Sequence, residues 1–178
     1  MILLFFGLIV LALLVWTVTP TVTANSQLSV TRTYSGGDVA PGNNTIDVNG
    51  LNTTEALNSG TTPAVTKDFD ALVTLSGGAA TLDLTAITDL LGLGTVTISG
   101  LTPAWTKFTN PSTNANAVTI AKGASNGYTG FGSSFSITLQ PGGEILIRLA
   151  TVAVSGSVKT LDITGTASQT LKVQGVAG

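Results

Sequence analysis

Two residue types that carry much of protein chemistry are missing from this chain, which has no cysteine and no histidine. Without cysteine, neither disulfide bonds nor thiolate metal sites can form. Without histidine, the catalytic triads that use an imidazole base are excluded as well. The absence of disulfides does not identify the redox compartment, because disulfide-free proteins occur inside and outside cells.

Charge is also scarce, since charged residues make up 9% of the 178 residues and the net charge is −2. The seven lysines and arginines are scattered from Arg32 to Lys172 and form no basic cluster. Phosphate backbones are bound by clustered cations, so the pattern argues against nucleic acid as a partner. A surface of Thr, Ser, Asn and Gly lacks the usual charges that keep copies apart. It suits a protein that packs against copies of itself, or a neutral extracellular surface.

The longest apolar run is Met1–Val18, which has no charge and one polar side chain, Thr17. As an α-helix of about 18 residues it would be roughly 27 Å long, close to one hydrocarbon thickness. Pro20 would end the helix, because proline removes a backbone donor and clashes one turn back. We therefore predict a hydrophobic helix over residues 1-19, an extended connector over 20-27 and a single domain over 28-178.

Three interpretations of the helix stay open. It is a secretory signal peptide cleaved after Val22-Thr23-Ala24, a retained membrane anchor with Trp16 at the interface, or a helix buried in the core of an assembly. The first lacks the usual basic residues before the apolar run, and the second lacks a flanking positive cluster. If the helix is retained, its large apolar side chains are the predicted anchor and assembly residues: Leu3, Leu4, Phe5, Phe6, Leu8, Ile9, Leu11, Leu13, Leu14 and Trp16.

The rest of the chain alternates apolar and polar residues in short runs separated by turn residues. Alternation with a period of two is typical of half-buried strands, and turns at this spacing predict an all-β fold, a single antiparallel β-sandwich or jelly roll. The predicted strands are Leu28–Thr33, Phe69–Leu75, Thr95–Ser99, Ala117–Ala121, Phe135–Leu139, Glu144–Leu149 and Thr170–Val173.

Two local patterns interrupt this picture. Apolar residues within Leu84–Gly92 recur at helical spacing, which predicts one or two helical turns between strands. A phrase of Thr, an apolar residue and Asp also occurs three times, ending at Asp47, Asp83 and Asp162. The three carboxylates either collect a cation or accept backbone N–H bonds in turns, and we favour the turns.

The chain offers little that resembles an active site. Gly123–Gly127 matches the G-x-S-x-G nucleophile elbow, but that elbow needs a strand–turn–helix and a histidine base, and its Asn-Gly instead predicts a hairpin turn. Asp68 and Asp70 would share one face of a strand, which is more typical of a solvated face than of a metal site. We predict no enzyme, no cofactor and no metal.

The Gly-rich loop Ala121–Ser134 carries two aromatic residues, Tyr128 and Phe131. Aromatic rings on a polar loop can contact glycans or a neighbouring subunit, or they can fold back as a lid on the core. Both alternatives stay open. The sequences that begin at Asn43 and Asn52 match the glycosylation acceptor motif, which arises easily in a chain this rich in Asn and Thr.

Residues 67-178 resemble small virion structural proteins of tailed phages. The similar phrases include Ala80–Thr85, Phe108–Asn116, Gly123–Tyr128, Leu139–Gly143 and Lys159–Thr166. The resemblance implies a β-sandwich or jelly-roll module on a particle surface, with no active site. The N-terminal helix departs from that family and is instead similar to pilins, although the glutamate near the start of many pilin helices is missing.

These observations predict a non-enzymatic structural subunit. Its expected partners are copies of itself, with a lipid membrane and a glycan or host surface as further candidate contacts. It would be exported to the extracellular space or to a particle surface, and held there by the helix. The alternatives are a pilin-like filament subunit or, if the helix is cleaved, a secreted glycan-binding module.

Overall fold

The computed structural model describes residues 22–26, 29–33, 43–47, 53–57, 60–90, 94–148 and 150–178. These residues form antiparallel β-sheets and contain no helix, so the all-β prediction is confirmed for them. The described residues therefore contain no helix that is long and apolar enough to cross a bilayer. The predicted helix over 1-19, with its anchor residues, lies outside the described residues.

Four strands come first and pair only with one another. β1 (Val22–Ser26) pairs with β4 (Thr53–Leu57), and β2 (Ser29–Thr33) pairs with β3 (Asn43–Asp47). The second pair is nested in sequence within the first, and we call the four strands together the arm. The stretch predicted as a connector thus contains β1.

Eight later strands form two four-stranded antiparallel sheets. Sheet I has the order β11-β10-β13-β6, and sheet II has the order β12-β9-β14-β5. The short strands β7 and β8 form a separate two-stranded sheet. The strands are β5 (Lys67–Thr74), β6 (Ala79–Asp83), β7 (Ile87–Thr88), β8 (Thr95–Val96), β9 (Pro103–Thr109), β10 (Val118–Lys122), β11 (Ser136–Leu139), β12 (Glu144–Arg148), β13 (Thr160–Thr164) and β14 (Thr170–Ala177).

The strand pairs of the two sheets are nested about the middle of this region. β10 pairs with β11, then β9 with β12, then β6 with β13 and finally β5 with β14. Successive pairs fall alternately in sheet I and sheet II. The chain is thus folded back on itself and wound across two layers.

The two sheets contribute to one hydrophobic cluster. Sheet II supplies the predicted apolar face of β5, where Phe69 and Ala71 are buried, and sheet I supplies Val118 and Ile120 of β10. In β11, Leu139 is buried while Ser136 is exposed, again as the alternation predicts. Burial of one face of each strand is the main contribution to stability, at about 25 cal/mol per Å² of apolar surface.

The alternation missed β9, which lies inside sheet II between β12 and β14. Its residues are buried on both faces: Phe108 belongs to the main core, whereas Trp105 packs on the opposite face with Leu57 and Val176. A strand covered on both faces has no polar side to alternate with. The end of the arm therefore rests on the outer face of sheet II through Leu57.

The helical turns predicted within Leu84–Gly92 are wrong for the described residues up to Leu90. Asp83 instead begins a tight turn, in which the amide of Ala86 donates to the carbonyl of Asp83 at 3.0 Å, and strand β7 follows. The apolar spacing has another cause, since Leu84 and Ile87 are both buried in the main core on either side of this turn.

Candidate assembly surface

Tyr128 lies in the hydrophobic core and offers no exposed ring. Its amide donates to the carbonyl of Thr160 at 2.8 Å, and its hydroxyl donates to the carbonyl of Val152 at 2.6 Å. Burial raises the pKa of the Tyr128 phenol far above its usual value, so the hydroxyl stays protonated. Gly130 is needed beside it, because a Cβ at that position would overlap the phenol.

Phe131 is half-buried at the centre of an aromatic cluster. Its ring meets Tyr128, Phe135 and Phe108 edge to face, with centroids 5.0, 5.4 and 6.0 Å away. This geometry is the favoured one for aromatic pairs. The positions of both rings match the alternative in which the loop covers the core.

Gly123–Gly127 forms a turn without a following helix. Residues 124–126 turn with Asn126 at φ 53°, and the carbonyl of Asn126 accepts from the amides of Lys159 and Thr160 at 2.7 and 3.0 Å. The Asn-Gly pair is therefore not the two-residue hairpin predicted from sequence, because β10 continues to β11 only after residue 135. Neither the strand-to-helix turn nor a histidine is available to activate Ser125.

Two of the three aspartates of the repeated phrase, Asp83 and Asp162, are held by hydrogen bonds. Asp83 accepts from the amide and hydroxyl of Thr85 at 2.8 and 2.6 Å and from Lys159 Nζ at 2.6 Å. Asp162 accepts from Thr81 Oγ1 at 3.0 Å and from the amide of Ala124 at 2.8 Å. These contacts agree with the favoured interpretation. The described part of the chain contains no group of carboxylates that could hold a metal ion.

The pKa of Asp83 is lowered by its partners. Partial burial acts in the opposite direction and raises the pKa, but the hydrogen bonds from Lys159 and Thr85 outweigh it. The other carboxylates are arranged like surface groups: Asp68 is exposed, and Glu144 forms an exposed ion pair with Lys107 at 2.7 Å. Such pairs contribute about 0–1 kcal/mol.

The depressions of the described surface are shallow. One of about 450 Å³ opens on the outer face of β6 and β13, where its lining is made largely of small side chains such as Ala79 and Thr81. Another of about 200 Å³ lies between β5 and β6. Ligand sites normally enclose most of a small molecule and converge several polar groups on it. Neither depression has that form.

The strand edges are the more informative surface. Each sheet ends in two edge strands, β11 and β6 for sheet I and β12 and β5 for sheet II. Proteins commonly protect such edges with charged side chains. Charges are present on β5 (Lys67, Asp68, Asp70), on β12 (Glu144, Arg148) and on β6 (Asp83), whereas β11, with the sequence SITL, has none.

The uncharged edge of β11 presents backbone groups outward. The amide of Lys122 donates to the carbonyl of Phe135 at 2.9 Å, and the register continues with Ala121 opposite Ser136. Hydrogen-bonded and non-hydrogen-bonded pairs alternate along antiparallel strands. The N–H and C=O groups of Ser136 and Thr138 therefore point away from β10. Among the described residues, no other strand pairs with them.

Exposed leucines add apolar area on the outer face of sheet II. Leu72 of β5 is 47% exposed and Leu146 of β12 is 41% exposed. Leu57 covers the apolar patch around Trp105 on the same face. Arg148 stacks on the Trp105 ring, with its guanidinium 4.6 Å from the ring centroid. Periodicity indicated neither the neutral edge nor the leucines, although the absence of charge from Phe135 to Leu139 was a readable signal.

Comparisons with protein-family models, with curated proteins and with solved structures find no match for this chain.

Proposed function

We propose that this protein is a non-enzymatic structural subunit that assembles with copies of itself on the outside of a cell or particle. The observation that carries the proposal is the neutral edge of β11, with its outward-facing backbone groups, since the other three edges of sheets I and II carry charge. An unprotected edge is a template for pairing with another chain. The scarcity of charge over the whole sequence favours the same role.

We also infer that the eight strands of sheets I and II form a jelly roll. The nested pairs and their alternation between two layers are the wound hairpin typical of this fold. Jelly rolls occur in viral capsid proteins, lectins and cupins, so the fold does not by itself select one function. The resemblance of residues 67-178 to phage virion proteins favours the structural role among these.

The apolar segment Met1–Val18 would supply the driving force. Burying each of its large side chains, in lipid or against the same segment of neighbouring copies, contributes about 1.5–3 kcal/mol. The segment would hold subunits together while the β-rich region forms directional contacts. A pilin-like filament is one form that such an assembly would take. Glycan binding is not proposed, because it depended on Tyr128 and Phe131: the Tyr128 ring is buried, and the Phe131 ring packs edge to face in the aromatic cluster.

The size of the purified full-length protein tests this proposal. We expect light scattering and negative-stain electron microscopy to show oligomers, and a double variant Leu8→Lys, Leu11→Lys to remain a folded monomer. The matched control Thr17→Ser, in the same segment, should assemble like the wild type. A full-length protein that stays monomeric at every concentration would refute self-assembly. If the lysine variant assembles normally, the role of the apolar segment is wrong.

A further inference from the structure

We propose that the neutral edge of β11 receives strand β1 of the arm from a second copy of this chain. This inference rests on the proposed self-assembly and specifies which two strands meet. Both strands are edges with no charged residue, VTANS in β1 and SITL in β11. The product would be one continuous antiparallel or parallel sheet that runs from one subunit into the next.

The arm has its own reason to pair. A two-stranded ribbon is marginally stable in water unless a third strand or a packed layer supports it. In the described residues, the four arm strands pair only with each other, and Leu57 at the end of the arm is buried against Trp105 and Val176 of sheet II. A third strand would add backbone hydrogen bonds to the two-stranded pairs of the arm.

The choice of β1 over its partner follows from the charges. In the first pair of the arm, one edge belongs to β1, which is uncharged, and the other to β4, which carries Glu55. A charge on an edge strand opposes addition of another strand. In the second pair both strands carry a charge, Arg32 in β2 and Asp47 in β3, so β1 is the arm strand without charge and the one that matches the neutral edge of sheet I.

Docking through two different surfaces fixes the kind of assembly. Each subunit would give its arm to one neighbour and receive an arm on β11 from another, which is a head-to-tail contact. Contacts of that type close into rings or continue as filaments, whereas a symmetric β11–β11 contact would stop at a dimer. Main-chain hydrogen bonds would supply the affinity, as in other cases of strand addition.

The absence of cysteine allows a clean crosslinking test in the full-length assembly. Single variants Thr23→Cys, Ala24→Cys and Asn25→Cys in β1 are each mixed with Ser136→Cys in β11 and treated with a short bis-maleimide. We expect a crosslinked dimer from at least one mixture as the main product, and monomer from each variant alone. The control Thr164→Cys, exposed on the inner strand β13, should give monomer with every β1 variant.

The outcomes of the crosslinking separate this docking from self-assembly in general. Dimers from Ser136→Cys alone would show a symmetric β11 contact and overturn the arm proposal. Assembly without any β1–β11 product would overturn it too, while leaving the structural role intact. Failure to assemble at all would refute both.

A proline in β11 gives a second check. Thr138→Pro removes an outward N–H and leaves the backbone hydrogen bonds to β10 in place, while its hydroxyl contact with Thr119 at 2.8 Å is lost. It should abolish the crosslink while the melting profile of the unassembled subunit is retained. An undiminished crosslink would count against the docking.

Discussion

Replacing Asn110 by alanine should destabilise the protein by about 3 kcal/mol. The side chain is fully buried in the loop that leaves β9. Its Nδ2 donates to the carbonyls of Leu139 and Asn116 at 2.8 and 3.2 Å, and its Oδ1 accepts from Asn114 at 2.5 Å. Asn114 in turn bonds both the carbonyl and the amide of Thr170. One side chain thus connects the ends of strands from both sheets.

The magnitude follows from these three bonds. Each contributes about 0.5–1.5 kcal/mol, and loss of a buried partner adds to the cost. In a domain of this size, 1 kcal/mol corresponds to a shift of about 2–4 °C in Tm, so the expected loss is about 6–12 °C. Thermal and urea unfolding, followed by near-ultraviolet circular dichroism, would measure it.

The control for this experiment is Asn116→Ala. The Asn116 side chain makes an exposed bond to Thr166 at 3.2 Å, and its backbone carbonyl, which Asn110 uses, is unchanged. We expect a change within about 0.5 kcal/mol. An Asn110→Ala protein as stable as this control would refute the view that the network holds the two sheets together. Should Asn110→Ala fail to fold, Asn114→Ala should give an intermediate loss of about 1–2 kcal/mol.

Three further outcomes are expected. Thr106→Val should stabilise the protein by about 1 kcal/mol in urea unfolding, because its buried hydroxyl has no hydrogen-bond partner among the described residues. Tyr128→Phe should cost about 1 kcal/mol, since it leaves the Val152 carbonyl without its 2.6 Å donor. Asp83→Asn should flatten the acid limb of the stability profile: the pKa of Asp83 is lowered on folding, so its contribution is present above its usual 3.8 and lost as the pH falls further. If the free energy of unfolding of the Asp83→Asn variant depended on pH in the same way as that of the wild type, the prediction for Asp83 would be contradicted.

The sequence predicts individual strands well where one face is buried and the other is exposed to solvent. The alternation in β5 and β11 is correct because their polar residues lie outside the core. It fails for β9, which is covered on both faces, and for the turn after Asp83, where buried Leu84 and Ile87 imitate helical spacing. Local periodicity records the burial of a segment but not the element that buries it.

Which strands pair with each other is even harder to predict from the sequence pattern than the strands themselves. The strands β5 and β14 are far apart along the chain and yet adjacent in sheet II. Which strand becomes an edge is decided only by such distant pairings, and the candidate site is an edge. Tyr128 illustrates the same limit, since a glycine-rich loop gives no indication of whether an aromatic ring points to solvent or to the core.

The distribution of charge over the strands is what gives the scarcity of charge a functional meaning. If low charge were only a compositional bias, several strands of the two sheets would be expected to lack ionic residues. Instead, every strand of sheets I and II except β11 carries at least one, and this includes the three other edges, β5, β6 and β12. Scarcity alone therefore does not account for the neutral edge at β11. An edge strand without any charge, beside three edges that have it, is expected where pairing with another chain is tolerated or required.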